Sequence, residues 1–508
     1  MPIADFIARQ ALQNPDAPAV IGGDGPISYE LMSQRVDAAA ALLMKNGVQP
    51  GDWLGLGLPQ STLWQAVFLL GALRIGARAV VLGGQPVADL HALPGGRVHT
   101  LAIEGAGLTR LAGVPAISVN ADTLKTLQIT RKVVGLPAPD VAAATAAVAM
   151  LSGALVAGKV RAVVLDDAAL EARLAAAARQ CGLTSTTRFL GRLSMAAPLA
   201  QECMLATWHV GGAVLIGPDQ VPLPEVLERL QPDCVLLARN QLEPALTAAA
   251  GSPEAGRAQR RLFVAGGPLP VDRARQAQAL LAESVTLLLS TAEVGVFCAG
   301  TVDDLTAHPQ AMGRVVTGVT IRAVDPQGRV CPTGQAGSLQ LHTPAATGTT
   351  AAAAGEADQW SATGLQGTVT EDGLLHVTGV DAALAQAAAR SQAPTKPVTR
   401  GEIEEAIAQL EGVDEVCVLS QPLPGARSMP VVVFAGGAGE DMKALKRRIA
   451  ELPFELLPFH LVRVGALPRG KDGAVLRDKL AGATAEAMRR ALTPVNAPGA
   501  GPVPTGAA

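Results

Sequence analysis

Two short stretches of this chain bring cations and glycines together. The first is Leu151-Ser152-Gly153-Ala154-Leu155-Val156-Ala157-Gly158-Lys159-Val160-Arg161. Backbone N–H groups of a glycine loop can converge on an anion, and a Lys or Arg adds charge. The second is Leu467-Pro468-Arg469-Gly470-Lys471-Asp472-Gly473-Ala474-Val475, near the end. Thiol and metal chemistry have weaker support. The cysteines Cys181, Cys203, Cys234, Cys298, Cys331 and Cys417 form no CxxC pair and no metal knuckle. They read as buried thiols of a reducing compartment. The histidines are equally scattered, and His209, after Trp208 in an apolar stretch, reads as a core residue.

With 508 residues the chain is too long for one core, so two or more domains are expected. Hydrophobic residues make up 49% but aromatics only 3%, so the core must be built from small side chains such as Ala. A net charge of −3 argues against a nucleic-acid or anionic-membrane surface. The start, Met1-Pro2-Ile3-Ala4-Asp5-Phe6, lacks the basic and apolar regions of a signal peptide. No apolar run reaches the roughly 18 residues of a membrane span; the best, around 66–82, is broken by Arg74 and Arg78. A soluble cytoplasmic protein is the expectation.

The first half alternates helix and strand signals. Residues 3–13 read as an amphipathic helix stopped by Asn14-Pro15-Asp16, and 19–21 as a strand. Ser28 caps a helix running to about Asn46, and 53–58 is an apolar strand. This alternation predicts α/β layers around largely parallel strands. From Val315 the texture becomes β-rich, with strands at 319–324, 337–342 and 374–377. A small α+β unit follows, with helices at 399–409 and 442–452 and strands at 413–419, 430–434 and 461–464. The expected division is a large N-terminal domain over 1–379, with 315–379 its β-rich subdomain. A linker over 380–398, a small domain over 399–490 and a disordered tail over 491–508 complete it.

Several motifs, in order, resemble those of the adenylate-forming superfamily of acyl-CoA synthetases, luciferases and peptide-synthetase adenylation domains. Asn14-Pro15-Asp16-Ala17-Pro18-Ala19-Val20, Ser28-Tyr29-Glu30-Leu31 and Gly47-Val48-Gln49-Pro50-Gly51-Asp52 resemble its opening motifs. Gly266-Gly267-Pro268-Leu269 resembles its internal Gly-Gly turn. Gly313–Gly318, Asp325–Gly328, Trp360-Ser361-Ala362-Thr363-Gly364 and Glu371–Leu374 follow. Glu402-Ile403-Glu404, with Val413 and Val416, resembles the start of the small domain. Joint order and spacing make the resemblance specific over nearly the whole chain. It implies a large multi-subdomain α/β domain and a small mobile α+β domain. It also implies acyl-adenylate formation from a carboxylic acid and Mg-ATP, then transfer to CoA or to a carrier-protein thiol.

Five parts carry that chemistry in the family. In the phosphate loop, aligning the strand Val163-Val164-Leu165 places Gly158 on the last glycine and Arg161 on the family's Lys. Aligning Ser152-Gly153 instead puts Lys159 near that Lys. In neither register do hydroxyls fill the centre, which is Ala154-Leu155-Val156-Ala157. In Leu289-Ser290-Thr291-Ala292-Glu293, Glu293 matches the acid that binds Mg²⁺. Leu289 stands for the Tyr that packs on adenine, and Ala292 for the Thr that contacts phosphate. After Thr363-Gly364, Leu365 replaces the ribose carboxylate; losing such a charged hydrogen bond is worth about 1.5–3 kcal/mol. After Gly379, Val380 replaces the ribose Arg, and Asp381 reads as a plain linker residue at the hinge. Ala474 takes the position of the catalytic Lys, with Lys471 a possible stand-in. Removing a donor aimed at developing charge typically costs ~2.7–4 kcal/mol of transition-state stabilisation.

Five functional positions are thus apolar: Leu289, Ala292, Leu365, Val380 and Ala474. The leading expectation is a pseudoenzyme that binds an acyl ligand, a carrier protein or an active synthetase. One alternative is a divergent active ligase using Glu293, Arg161 or Lys159, and Lys471. Another is a pure protein-interaction scaffold. The acyl pocket is expected just after the Gly266-Gly267 turn and around 195–207, where the residues are small or apolar.

Overall fold

The structure, a computed structural model, describes residues 5–22, 25–57, 62–82, 93, 97–103, 116–130, 133–137, 146–156, 159–217, 221–250, 259–343, 360–380, 400–423, 427–436, 442–450, 460–469, 475–477 and 480. The chain divides into two compact units, Met1–Arg390 and Ser391–Ala508.

The first unit opens on a short helix, Phe6–Gln13, and a strand, Pro18–Gly22. Ser28 caps the helix Tyr29–Lys45 by accepting from Leu31 N–H at 3.3 Å. Buried Tyr29 donates its hydroxyl to Gly212 O at 2.7 Å, and Trp208 Nε1 donates to Ala19 O at 2.7 Å. These bonds satisfy the polar tips of two large buried side chains and tie the amino-terminal segment to the main sheet. The scarcity of aromatics is met by close approach. A Cβ on Gly71 would stand 3.1 Å from Ala39 Cβ, so helices Tyr29–Lys45 and Thr62–Arg74 pack through small residues.

Two sheets form this unit. A six-stranded sheet contains parallel strands Trp53–Gly57, Arg78–Val81, Val98–Ile103 and Ala116–Val119, plus the pair Ala147–Val156 and Lys159–Asp166. A thirteen-stranded sheet has a parallel centre of Pro18–Gly22, Ala213–Leu215, Arg188–Gly191, Cys234–Ala238, Arg261–Ala265 and Ser284–Thr291. Adjacent residues Phe189 and Leu190 belong to different core clusters, as strand alternation requires when both faces are covered. The sheet continues into antiparallel strands Gly295–Thr301, Gly313–Val315, Leu374–Val380, Ser361–Val369, Gly337–His342 and Thr320–Val324. Here the sequence reading is extended: Ser361–Val369 is a strand, and Leu374–Val380 outlasts the anticipated 374–377.

The second unit carries helices Arg400–Ala408 and Met442–Ala450 and a three-stranded sheet of Glu415–Leu423, Arg427–Ala435 and His460–Val464. Arg477 clamps Glu404 through two parallel bonds of 2.8 Å, while Glu404 also accepts from Val418 N–H at 2.7 Å. This fork-to-fork geometry fixes the helix against the sheet. The anticipated linker, apart from Val380, and the tail lie outside the described residues.

Five cysteines are buried, as the sequence suggests; Cys331 is half-buried. Half-buried His209 packs edge-on against Phe6. Burial and nearby Arg9 hold its pKa below the usual histidine range.

Candidate functional site

The cationic glycine stretch forms a tight hairpin. Val156 pairs with Lys159, and Ser152 pairs with Arg161. A register shift lies between Ser152 and Leu155. Successive N–H groups of extended strands point to opposite sides, so they do not converge on one anion. Lys159 and Arg161 fall in the second strand, while Gly158 lies outside the described residues.

The Leu289–Glu293 stretch ends one strand and turns into the next. Leu289 and Ala292 are both buried, each within a core cluster. Beneath the turn lies an ion pair absent from the sequence reading. Arg173, on helix Asp167–Gln180, binds Glu202, on helix Pro198–His209. Neither side chain is more than 2% exposed. Arg173 Nη1 donates to Glu293 O at 2.9 Å, and Nη2 to Ala292 O at 3.1 Å. Burial raises the Glu202 pKa, and the Arg173 guanidinium opposes that rise. Gly295 closes over the pair with φ +83°; a Cβ there would meet Arg173 Nε at 2.9 Å. The sequence signals were a lone carboxylate among Leu199–Trp208 and an arginine in the middle of an Ala-rich helix.

Glu293 is itself buried. Its carboxylate finds no hydrogen-bond donor among the described residues, which leaves it with capacity for a cation. Among the described residues there is no group of three His, Cys, Asp or Glu placed to hold a metal.

On the ribose side, Thr363 and Gly364 lie in the strand Ser361–Val369. The Thr363 hydroxyl donates to Leu339 O at 2.9 Å and accepts from Leu365 N–H at 2.9 Å, so it serves the sheet. Leu365 is the register partner of Val380 across the antiparallel pair. The two positions that the family gives to a carboxylate and an arginine therefore stand face to face, both aliphatic. The positions that the resemblance aligns with adenine and ribose contacts thus hold Leu289, Leu365 and Val380.

In the second unit, the terminal motif is closed at its base. Arg469 and Val475 form a bridge, and Leu476 N–H donates to Pro468 O at 2.7 Å. Arg469 also binds Glu415 at 2.6 Å. Lys471 and Ala474 lie outside the described residues. The anticipated acyl-pocket segment is core: Met195 and all residues from Leu199 to Trp208 are buried. Gly266 turns with φ +111°, and the space beside Gly267 is open.

Among the described residues no helix is long and apolar enough to cross a membrane. The chain resembles solved adenylate-forming ligases in fold. MenE (o-succinylbenzoate CoA synthetase) from Bacillus subtilis, solved with an acyl-adenylate intermediate, matches with a TM-score of 0.61 and 15% identity. That match covers 94% of this chain and 98% of that one. A benzoate CoA ligase from Burkholderia xenovorans matches with a TM-score of 0.61 and 19% identity, covering 94% and 99%. Among curated relatives, nonribosomal peptide synthetase anaPS of Neosartorya fischeri is 28% identical over 221 residues, 43% of this chain and 9% of that protein. Phenyloxazoline synthase MbtB of Mycobacterium tuberculosis is 26% identical over 515 residues, 96% of this chain. The chain spans only 35% of MbtB. Residues 7–89 and 157–349 match the family described as AMP-binding enzyme, and the chain belongs to that family.

Proposed function

We propose that this chain is a family member in which acyl-adenylation is lost or strongly impaired, and that it acts by holding an acyl acid or a partner protein. The carrying observation is the cross-strand pairing of Leu365 with Val380. Aliphatic groups there cannot accept from or donate to ribose hydroxyls. The tight hairpin at Val156–Lys159 and the burial of Leu289 and Ala292 support the same reading. A carrier protein or an active synthetase is the protein partner this reading implies, in the cytoplasm. The test is ATP–pyrophosphate exchange with a panel of carboxylic acids. No exchange above background is expected; exchange that Glu293→Ala abolishes would overturn the proposal.

A divergent active ligase is the second reading, favoured by Glu293, whose buried carboxylate is kept at the family's Mg²⁺ position. It would employ Lys159 or Arg161 on the phosphates and Lys471 near the reacting carboxylate, with CoA or a carrier thiol as acceptor. A rise in melting temperature with millimolar Mg-ATP or AMP would favour it, because a ligand of the native state stabilises by mass action.

A further inference from the structure

Helix Phe6–Gln13 packs on helices Tyr29–Lys45 and Pro198–His209 and buries Phe6, Ile7 and Gln10. Its polar ties to the second of these converge on His209, in that helix's last turn. Phe6 meets the imidazole edge-on, with ring centroids 6.1 Å apart. Arg9 Nη2 lies 3.5 Å from His209 Nδ1, and Gln10 Nε2 donates to His209 O at 3.1 Å. Gly211, with φ +90°, leaves room for the Gln10 amide, since a Cβ there would stand 3.0 Å from Gln10 Oε1.

The Arg9 contact suits only a neutral imidazole. An unprotonated Nδ1 accepts from the guanidinium, whereas a protonated one sets two cations 3.5 Å apart. The charged groups acting on His209 are Arg9, from the short helix, and Glu171, from helix Asp167–Gln180. Burial, then Arg9, hold the imidazole below the usual histidine range, against the opposite pull of Glu171. The carbonyl end of its own helix also favours a cation, without reversing that direction. The other anchor of the short helix answers acid differently. Asp5 pairs with Arg74 at 3.7 Å, and Arg74 also pairs with Asp37 at 3.4 Å. Burial raises the Asp37 pKa, with Arg74 opposing and Asp5 adding to the rise. Protonating Asp37 removes a competitor for Arg74, so mild acid does not loosen the Asp5 end.

We infer that His209 and Arg9 form a pH-sensitive latch: a neutral His209 keeps helix Phe6–Gln13 docked, and a protonated one releases it. Undocking returns His209 to the ordinary histidine pKa, about 6.5. The docked state binds the proton less well, so docking is complete above that value and weakens as pH falls below it. Release turns at Asn14-Pro15, where the helix has already ended, and uncovers Phe6 and Ile7. The strand Pro18–Gly22 stays in place, because Trp208 Nε1 still donates to Ala19 O.

The test is amide hydrogen exchange of the full chain, stepped from about pH 7.5 to about pH 5.5 across the histidine range. Peptides covering residues 5–13 are read by mass spectrometry and compared with His209→Gln at each pH, which cancels the intrinsic pH dependence of exchange. The ratio of parent to variant rates should rise as pH falls, by at most about tenfold per pH unit, the limit for one proton. Arg9→Gln, which removes the facing cation, should make the parent's rise shallower, and Asp37→Asn should leave it intact. A flat ratio overturns the inference, as does a rise that Asp37→Asn abolishes or that Arg9→Gln leaves unchanged. An equal rise in strand Arg188–Gly191 would mean general acid unfolding and overturns it too. Proton NMR of the His209 ring needs no folded variant of that residue: a titration midpoint at or above about 6.5 overturns the latch.

Discussion

Arg173 and Glu202 form a buried ion pair that carries the turn around Ala292 and Glu293 on its upper side. Twenty-nine positions separate the partners in sequence, and the carbonyls that Arg173 supports lie 119 and 120 positions beyond it. One cation thus joins two helices and a turn.

Removing one charge from this pair leaves the other buried and unpaired. Glu202→Gln should lower unfolding stability by about 3–5 kcal/mol. The double variant Arg173→Met/Glu202→Leu should regain much of that loss, because no charge then needs solvating. Urea unfolding of the singles and the double measures it. Equal loss in the double and in Glu202→Gln would show that the carbonyl bonds, and not the charge balance, hold the turn.

Thiol labelling should separate one cysteine from five. Cys331 is half-buried, and the others are buried. Burial, with a smaller contribution from Asp304, pushes the Cys298 pKa up to about 12, a hydrogen bond with Cys181 and then burial raise Cys203, and burial raises Cys234. Thiols rather than thiolates face the reagent at neutral pH, and thiolate is the nucleophile. Iodoacetamide on native protein should modify Cys331 alone, and all six after denaturation, as read by mass spectrometry of peptides.

The Leu365–Val380 pairing predicts a gain of function. Leu365→Asp combined with Val380→Arg places a carboxylate and a cation on facing strand positions. AMP should then bind at least about tenfold more tightly than to the parent chain, the scale of one charged hydrogen bond. Thermal shift with AMP reads this, with inosine monophosphate as a base-altered comparison. An unchanged AMP response would place the limiting loss on the adenine side, at Leu289.

Asp372 gives a pH signature. The Thr370 hydroxyl, then Arg314, hold its carboxyl down at about 2. Its folded pKa lies below the unfolded value of about 3.9, so its stabilising contribution is present above that value. That contribution fades as pH falls toward 2. The stability difference between the parent chain and Asp372→Asn should therefore shrink between about pH 4 and pH 2, as seen by urea unfolding at stepped pH.

Local rules made much of the fold legible. Ser28 announced a helix because a hydroxyl before an amphipathic run satisfies an otherwise unpaired N–H. The parallel centre followed from strand–helix alternation. The hairpin was harder: Gly153 and Gly158 suggested a loop, but Leu155 and Val160 carry the ladder on to the Val156–Lys159 pair. At the site, Glu293 and the aliphatic replacements were visible from motif spacing. Arg173 and Glu202 were not, because a buried charge is legible only once its distant partner is known.

In the large sheet the chain runs from strand Arg188–Gly191 to its neighbour Ala213–Leu215 on one side and from the adjacent Cys234–Ala238 to Arg261–Ala265 on the other, a reversal with a wider consequence. A cleft made by strand order is independent of the side chains that line it. Every polar group around a nucleotide can be exchanged for an aliphatic one, and the opening persists because the crossovers still diverge there. Such a scaffold can change its cargo without changing its architecture, keeping a vacancy whose chemistry is rewritten one residue at a time.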